Sequence, residues 1–435
     1  MEKKRGISKI GLIALVVSSS IGSGIFGITN DLAMSAAPGP AIIAWIIVGI
    51  GILALVLSLN NLGAKRPDLD GGIFGYAEAA FGKLGGFISG WGYWLSAWLG
   101  NVAFATMLMS AIGEFIPAFK GGQNIPSILL ASVFIWVLTF LVNNGIESAS
   151  FINTIVTICK LVPLFLFMVI ALVSFHVDIF SADFWGNVSS SLQSGASVSL
   201  WSQIKGCLMV MMWVFVGIEG ASVLANRAEK RSDAQKASVI GLLSLLVIYV
   251  LASLLPYGVM SQAELMALPQ PAMANILRYM VGEWGAAFIN IGLIISIIGC
   301  WLSWTMLPVT NVFLLTFLVT DYAYQFAYSM CTAAILICYL LVGIYQMIYS
   351  YQQKDNKQLF IGAVATAFQI IGITLAGFAY VLLCSIAYLP GFYFYLRACK
   401  ENNYQISDRQ KMVMAVVSLA AVLSIVAIAT GMISV

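Results

Sequence analysis

Charge is what this sequence has least of. Only 9% of its 435 residues are charged, against about 25% in an ordinary soluble domain. The 21 basic and 18 acidic residues leave a net charge of +3, and no basic patch is interleaved with aromatics, so nucleic acid is not an expected partner. Histidine is almost missing: His176, at a segment end, stands alone, which excludes His-based metal or catalytic clusters. The seven cysteines (Cys159, Cys207, Cys300, Cys331, Cys338, Cys384, Cys399) lie in apolar runs without CxxC spacing. That pattern suits buried small hydrophobes better than disulfides or metal ligands. With no catalytic triad, metal cluster or nucleotide motif, neither an enzyme nor a cofactor is expected.

What the chain has is apolar sequence, 61% of it, in long runs rather than helical stripes. Such runs signal helices surrounded by lipid or by other helices, so the chain is expected to be an all-α polytopic membrane protein. The start, "MEKKRGISKIGLIALVV", has the basic head and apolar core of a secretory signal. The many later spans make it a first, uncleaved transmembrane helix instead. With about 20 residues per span, helices are predicted near 8–35, 41–62, 86–115, 125–142, 150–175, 202–224, 237–258, 285–305, 308–321, 323–349, 359–378, 379–397 and 412–433. The ninth of these thirteen is short. Of the 21 basic residues, all but Lys120, Lys205, Arg278 and the intramembrane Lys160 then fall on the side of the N-terminus. The positive-inside rule makes that side the cytoplasm of a cell (inner or plasma) membrane. Dropping the ninth span would move Lys354, Lys357 and the basic C-terminal loop outside, so 285–321 is expected to form a tight hairpin broken near Pro308. Glu114 and Glu147, near span ends, are expected to be solvated.

Two spans are interrupted by glycine. The first holds "SSSIGSGIFGITN" with Gly22, Gly24 and Gly27, and the sixth holds "WVFVGIEGAS" with Gly217, Gly220 and Glu219. Irregular backbone at membrane depth is tolerated where protein buries it or where it lines a cavity. These are the first spans of two five-helix sets, and because five is odd the second set runs inverted. Glycine-interrupted helices at corresponding positions of two halves mark a secondary-transporter site. A broken helix presents backbone N–H groups and a positive dipole end to an α-carboxylate, and free carbonyls to an α-ammonium. Glycines that only let helices pack closely are the alternative. Lys160, in "TICKLVPLF", and Glu219 are ionisable groups inside spans, and such groups are costly and usually functional. "GYWLSAWLGNVAF" (92–104) adds Asn101 in an aromatic setting, and "GCWLSWTML" (299–307) adds Trp301 and Trp304.

"GSGIF", "RPDLDGGIFGYAEAAFG" (66–82), "GYWLSAWLGNV", "WVFVGIEGAS" and "WLSWTMLP" (301–308) resemble the amino acid–polyamine–organocation (APC) superfamily, in particular its basic amino acid antiporter branch, typified by arginine–ornithine exchangers. The resemblance covers essentially the whole chain. It implies a LeuT-like 5+5 inverted repeat with discontinuous helices 1 and 6, plus additional C-terminal helices: 8–175 as the first repeat, 202–349 as the second with a shortened ninth helix, and 359–433 as three further helices. It also implies exchange by alternating access. Carried over by motif, Gly22, Ser23 and Gly24 would bind the substrate carboxylate, and carbonyls near Ile21 and Val216 the α-ammonium. Trp213 would cover the substrate, while Asn101 and Trp304 would line the side-chain pocket. A cation over the Trp304 face is worth about 0.5–2 kcal/mol. Tyr93 resembles a gating tyrosine, and Glu219 would link occupancy to gate closure. Lys160 resembles the fifth-span lysine that takes the place of a sodium ion, which argues against sodium coupling. One departure stands out: after "WTMLP" roughly thirty residues of loop and ninth helix are missing.

The expected function is therefore exchange of external arginine for internal ornithine, with amino acid substrates and membrane lipid as partners and a homodimer left open. The alternatives are an amino acid–amine antiporter, a proton-coupled amino acid permease, or a non-transporting deletion variant acting as a membrane partner protein.

Overall fold

The computed structural model describes residues 9–69, 71–144, 150–186, 199–219, 231–303, 323–430 and 432. All regular elements among them are helical. In chain order they are α1 (Lys9–Ser20), α2 (Gly24–Ala33), α3 (Pro38–Lys65), α4 (Ile73–Gly113), α5 (Ile125–Asn143), α6 (Ser150–Val173), α7 (Val177–Ala182), α8 (Leu200–Trp213), α9 (Arg231–Leu254), α10 (Gln262–Ala267), α11 (Ala272–Val281), α12 (Glu283–Ser303), α13 (Ala323–Gln352), α14 (Asn356–Ile371), α15 (Phe378–Glu401) and α16 (Asp408–Ala429). Among the described residues nine helices are long and apolar enough to cross a membrane. With the shorter α5, α8 and the α1–α2 pair, they account for twelve of the thirteen expected spans. The ninth expected span, 308–321, lies outside the described residues, as do Pro308 and Glu147.

The structure differs from the sequence-based spans in two places. The third span is part of the longer α4, where Gly82 at φ +73° permits a bend that other residues rarely adopt. The sixth is regular only as far as Trp213 and then turns through 214–219. Glu114 keeps partial exposure and is also ion-paired with Arg278, which holds Glu283 at 2.9 Å.

The chain divides into two compact units, 1–50 with 98–328, and 51–97 with 329–435. In the first, the open backbone ends around the α1–α2 break are satisfied by side chains distant in sequence. Tyr249 donates its hydroxyl to the carbonyl of Ser20, the last residue of α1, at 2.9 Å. Gln262 donates to Ala33 at 2.8 Å and Tyr257 to Ala36 at 2.8 Å, serving carbonyls at and beyond the far end of α2. In return Asn30 of α2 donates to the carbonyls of Leu265, Met266 and Leu268 at 2.9, 2.9 and 3.1 Å, closing the C-terminal end of α10. A helix end buried without such partners would leave unpaired carbonyls. At its other end α10 starts in a reciprocal cap between Ser261 and Glu264.

In the second unit, aromatic packing and ties to backbone carbonyls dominate. Trp91 donates to Ala387 at 2.9 Å and Tyr388 to Ile88 at 3.0 Å. The "RPDL" turn that follows α3 holds Arg66 against Asp68 at 2.6 Å, and the guanidinium also bonds Tyr345 and lies over the Tyr345 and Tyr349 rings. The Arg66 guanidinium draws the Asp68 carboxyl below its usual range.

Candidate functional site

The break between α1 and α2 covers Ile21, Gly22 and Ser23, and all of it is buried or nearly so. Ser23 holds the N-cap position of α2, where a serine hydroxyl ordinarily accepts from the first turn. Here it makes no capping bond, and its buried oxygen has no hydrogen-bond partner. The first turn of α2 thus presents N–H groups that no intrahelical carbonyl satisfies, with the positive end of the helix dipole behind them. The residues implied by the sequence motifs gather here: Ile21, Gly22, Ser23, Gly24 and Trp213 converge.

Close approach crowds two of these positions, most severely Gly24. A Cβ on Gly24 would stand 2.6 Å from Nε1 of Trp213, and one on Gly22 would stand 3.2 Å from the Phe104 ring. The Trp213 indole ends α8, so the sixth span reaches the break in the first through this side chain. Trp213 stacks on Tyr328 at 6.1 Å and tilts against Phe104 at 6.1 Å. Tyr324 stands edge-on to Tyr328 at 5.2 Å, with its hydroxyl in interaction range of both Ser23 and Trp213. Its hydroxyl and the Trp213 N–H are buried and make no hydrogen bond of normal geometry. One turn of α4 before Phe104, Asn101 is wholly buried, with neither amide atom bonded. Buried polar groups are nearly always bonded. Four unsatisfied ones around one helix start make a surface built to receive hydrogen-bonding groups.

Beyond Trp213 the chain leaves the helix. Val216 donates back to Trp213 at 3.0 Å, and Gly217 takes φ +100°. The Glu219 carboxylate folds back to accept from the Gly217 N–H at 3.1 Å. Glu219 is therefore buried and tied to the irregular backbone of its own span. Gly220 lies outside the described residues.

Lys160 in α6 is buried, and its ammonium lies 3.1 Å from the Cys300 sulfur. Cys300 in turn lies 3.8 Å from the Ile21 carbonyl. The chain of contacts runs from Lys160 to the unwound backbone, with a thiol between that sequence reasoning treated only as a hydrophobe. Tyr93 belongs to the second unit, where it packs edge-on against Phe74 at 5.3 Å. Trp304 lies outside the described residues. Phe104, Tyr324 and Tyr328 were missed from sequence. Phe104 lay within the "NVAF" stretch three residues after Asn101, one helical turn on, and could have been found by that spacing.

A membrane helix broken at a buried, polar-lined start, and faced by a second interrupted helix, defines a multi-pass membrane carrier rather than an enzyme. Comparison with known proteins gives the same class and narrows it. The chain belongs to the amino acid permease family, which matches residues 7–435. An arginine/ornithine antiporter of Latilactobacillus sakei is 53% identical, covering 99% of this chain and 99% of that protein. An arginine/agmatine antiporter of Chlamydia caviae is 43% identical over 70% of this chain and 63% of its own length. The fold is that of a manganese transporter of Eremococcus coleocola, with a TM-score of 0.53 at 10% identity over 96% of this chain and 92% of that one. The match to the Latilactobacillus sakei protein runs over 475 positions against the 435 residues here, so at least 40 of its positions have no counterpart in this chain.

Proposed function

We propose that this protein exchanges arginine for ornithine across the cell membrane by alternating access, with its N-terminus in the cytoplasm. The observation that carries the reading is the uncapped N-terminal turn of α2 under Trp213, in a chain 53% identical to an arginine/ornithine antiporter. In this reading Gly22, Ser23 and Gly24 hold the α-carboxylate, and carbonyls near Ile21 and Val216 hold the α-ammonium. Trp213 covers the substrate, and Asn101 and Trp304 line the rest of the pocket. Residues 8–175 and 202–349 are the two inverted repeats that rearrange around it. Glu219, bonded to the Gly217 backbone, couples occupancy to closure of the sixth span, and Tyr93 gates.

Lys160 supports sodium independence, because its side chain reaches the unwound first helix through Cys300, 3.1 Å from its amino group and 3.8 Å from the Ile21 carbonyl. Exchange of two singly charged substrates moves no net charge, so the two concentration gradients drive it. Purified protein in liposomes loaded with ornithine is expected to accumulate labelled arginine, without sodium and regardless of membrane potential. Absence of uptake with any internal amino acid or amine would remove the reading. A second reading, exchange for a decarboxylated amine, is favoured by the arginine/agmatine relatives. It predicts faster arginine uptake into liposomes loaded with agmatine than with ornithine.

A further inference from the structure

One buried charge in α2 takes no part in the site as built so far. Asp31 is buried inside the first span, seven residues beyond Gly24 and four beyond Gly27, which places all three on one stripe of the helix. Its neighbours are neutral amides. Gln325 donates to Oδ1 at 3.3 Å and Gln270 at 3.5 Å, both at the long limit of hydrogen bonding. Oδ2 has no hydrogen-bond partner. Among the described residues no lysine or arginine pairs with it. Carboxylates at membrane depth are expensive and characteristically answered by a cation.

Gln270 reaches Asp31 across the helix stripe itself. Its amide nitrogen also touches the Gly27 carbonyl at 3.3 Å and Asn30 Oδ1 at 3.4 Å. A Cβ on Gly27 would stand 2.8 Å from that same amide and push it aside. The amide N–H groups thus occupy the place that a cationic head would take, through bonds weak enough to exchange.

We propose that Asp31 is the acceptor for the positively charged end of the substrate side chain, and that Gln270 and Gln325 fill its place between substrates. This rests on the amino acid exchange reading, with the α-carboxylate at Ser23 and Gly24. Seven residues of helix separate Gly24 and Asp31 by about 10 Å along the axis. Side chains on a helix lean towards its N-terminus, which shortens the gap to the Asp31 carboxylate. Extended arginine spans roughly 9 Å between its carboxylate and guanidinium ends, so one molecule bridges the two points. Tyr324, beside Ser23 and close enough to feel the Asp31 charge, lines the path between them.

The test compares arginine, ornithine and citrulline, whose neutral urea matches the guanidinium in length. Concentrations for half-maximal thermal stabilisation of the full-length, detergent-purified protein are read for each, alongside exchange in liposomes. For wild type, arginine is expected to act at roughly tenfold lower concentration than citrulline. Asp31→Asn is expected to weaken arginine by roughly tenfold and to leave citrulline within about twofold, closing the gap. A preference for arginine that survives Asp31→Asn, or an equal loss for both ligands, overturns the proposal and leaves the exchange reading standing. Equal binding of arginine and citrulline by wild type overturns the proposal, while absence of exchange in liposomes overturns the transport reading. A preference that depends on Asp31 in a protein that does not exchange supports the proposal and removes the transport reading. If Asp31→Asn does not fold, Asp31→Glu decides: its longer side chain is expected to shift the arginine-to-ornithine ratio against arginine by about threefold, and an unchanged ratio overturns the proposal.

Discussion

At the scale of single residues, the site depends on what is absent from two Cα atoms. Gly24→Ala puts a methyl 2.6 Å from Trp213 Nε1 and 2.9 Å from its Cδ1, so the indole has to shift. Overpacking of this kind destabilises by about 1–3 kcal/mol. The variant is expected to fold but to exchange arginine roughly tenfold more slowly, the equivalent of about 1.4 kcal/mol, as measured in liposomes. The need for small residues here was legible in "GSGIFG", because three glycines in six positions contradict an uninterrupted helix. Asp31 was written in the sequence too, as a lone charge in "ITNDLA", yet its surroundings were not. They come from Gln270 and Gln325, far along the chain, and no local pattern reports contacts at that range.

At the scale of elements, α2 and α10 close each other's ends. Asn30→Ala removes the donor to three carbonyls. It is expected to cost roughly 1–3 kcal/mol, the penalty for buried polar groups left unpaired, and thermal unfolding in detergent should show the drop. Tyr249→Phe strips the hydroxyl from the end of α1 and is expected to cost less, about 1 kcal/mol. The reciprocal cap of α10 adds a dependence on pH. Bonds from the Ser261 side chain, then from its backbone, hold the Glu264 carboxyl below its usual value of 4.5. A group with a depressed folded pKa stabilises above the unfolded pKa and loses that contribution as pH falls through the folded one. Wild type and Glu264→Gln are therefore expected to differ in melting temperature at pH 7 and to converge as the pH falls through the lowered Glu264 pKa. The spanning helices were readable from hydropathy, whereas the short α7, α10 and α11 between them were not. The stop of α8 at Trp213 was not, because Val, Phe and Ile continue the apolar run while Gly217 turns the backbone.

At the scale of the whole molecule, the sequence forecast an all-helical, multi-pass carrier, and the helices and the family bear this out. Composition suffices for that, since lipid admits few alternatives to helices with internally satisfied backbones. The sequence leads one to expect a missing polar loop after "WTMLP", and the 475-position match carries, somewhere along its length, at least 40 positions that this chain lacks. Inserting the corresponding loop of the Latilactobacillus sakei protein after Pro308 is expected to raise exchange in liposomes if that loop limits turnover. An unchanged rate would show that the shorter chain is sufficient.

The far end of α2 also carries a schedule. Asn30 finds its acceptors at Leu265, Met266 and Leu268, and Asp31 its donors at Gln270 and Gln325. Synthesis at about 5–20 residues per second reaches those partners roughly 12–60 s after α2 itself has left the ribosome. Throughout that interval the first helix holds an amide and a carboxylate with none of their final neighbours yet made. The earliest span of this protein is thus among the last to be completed, and its maturation waits on the translation of the second half.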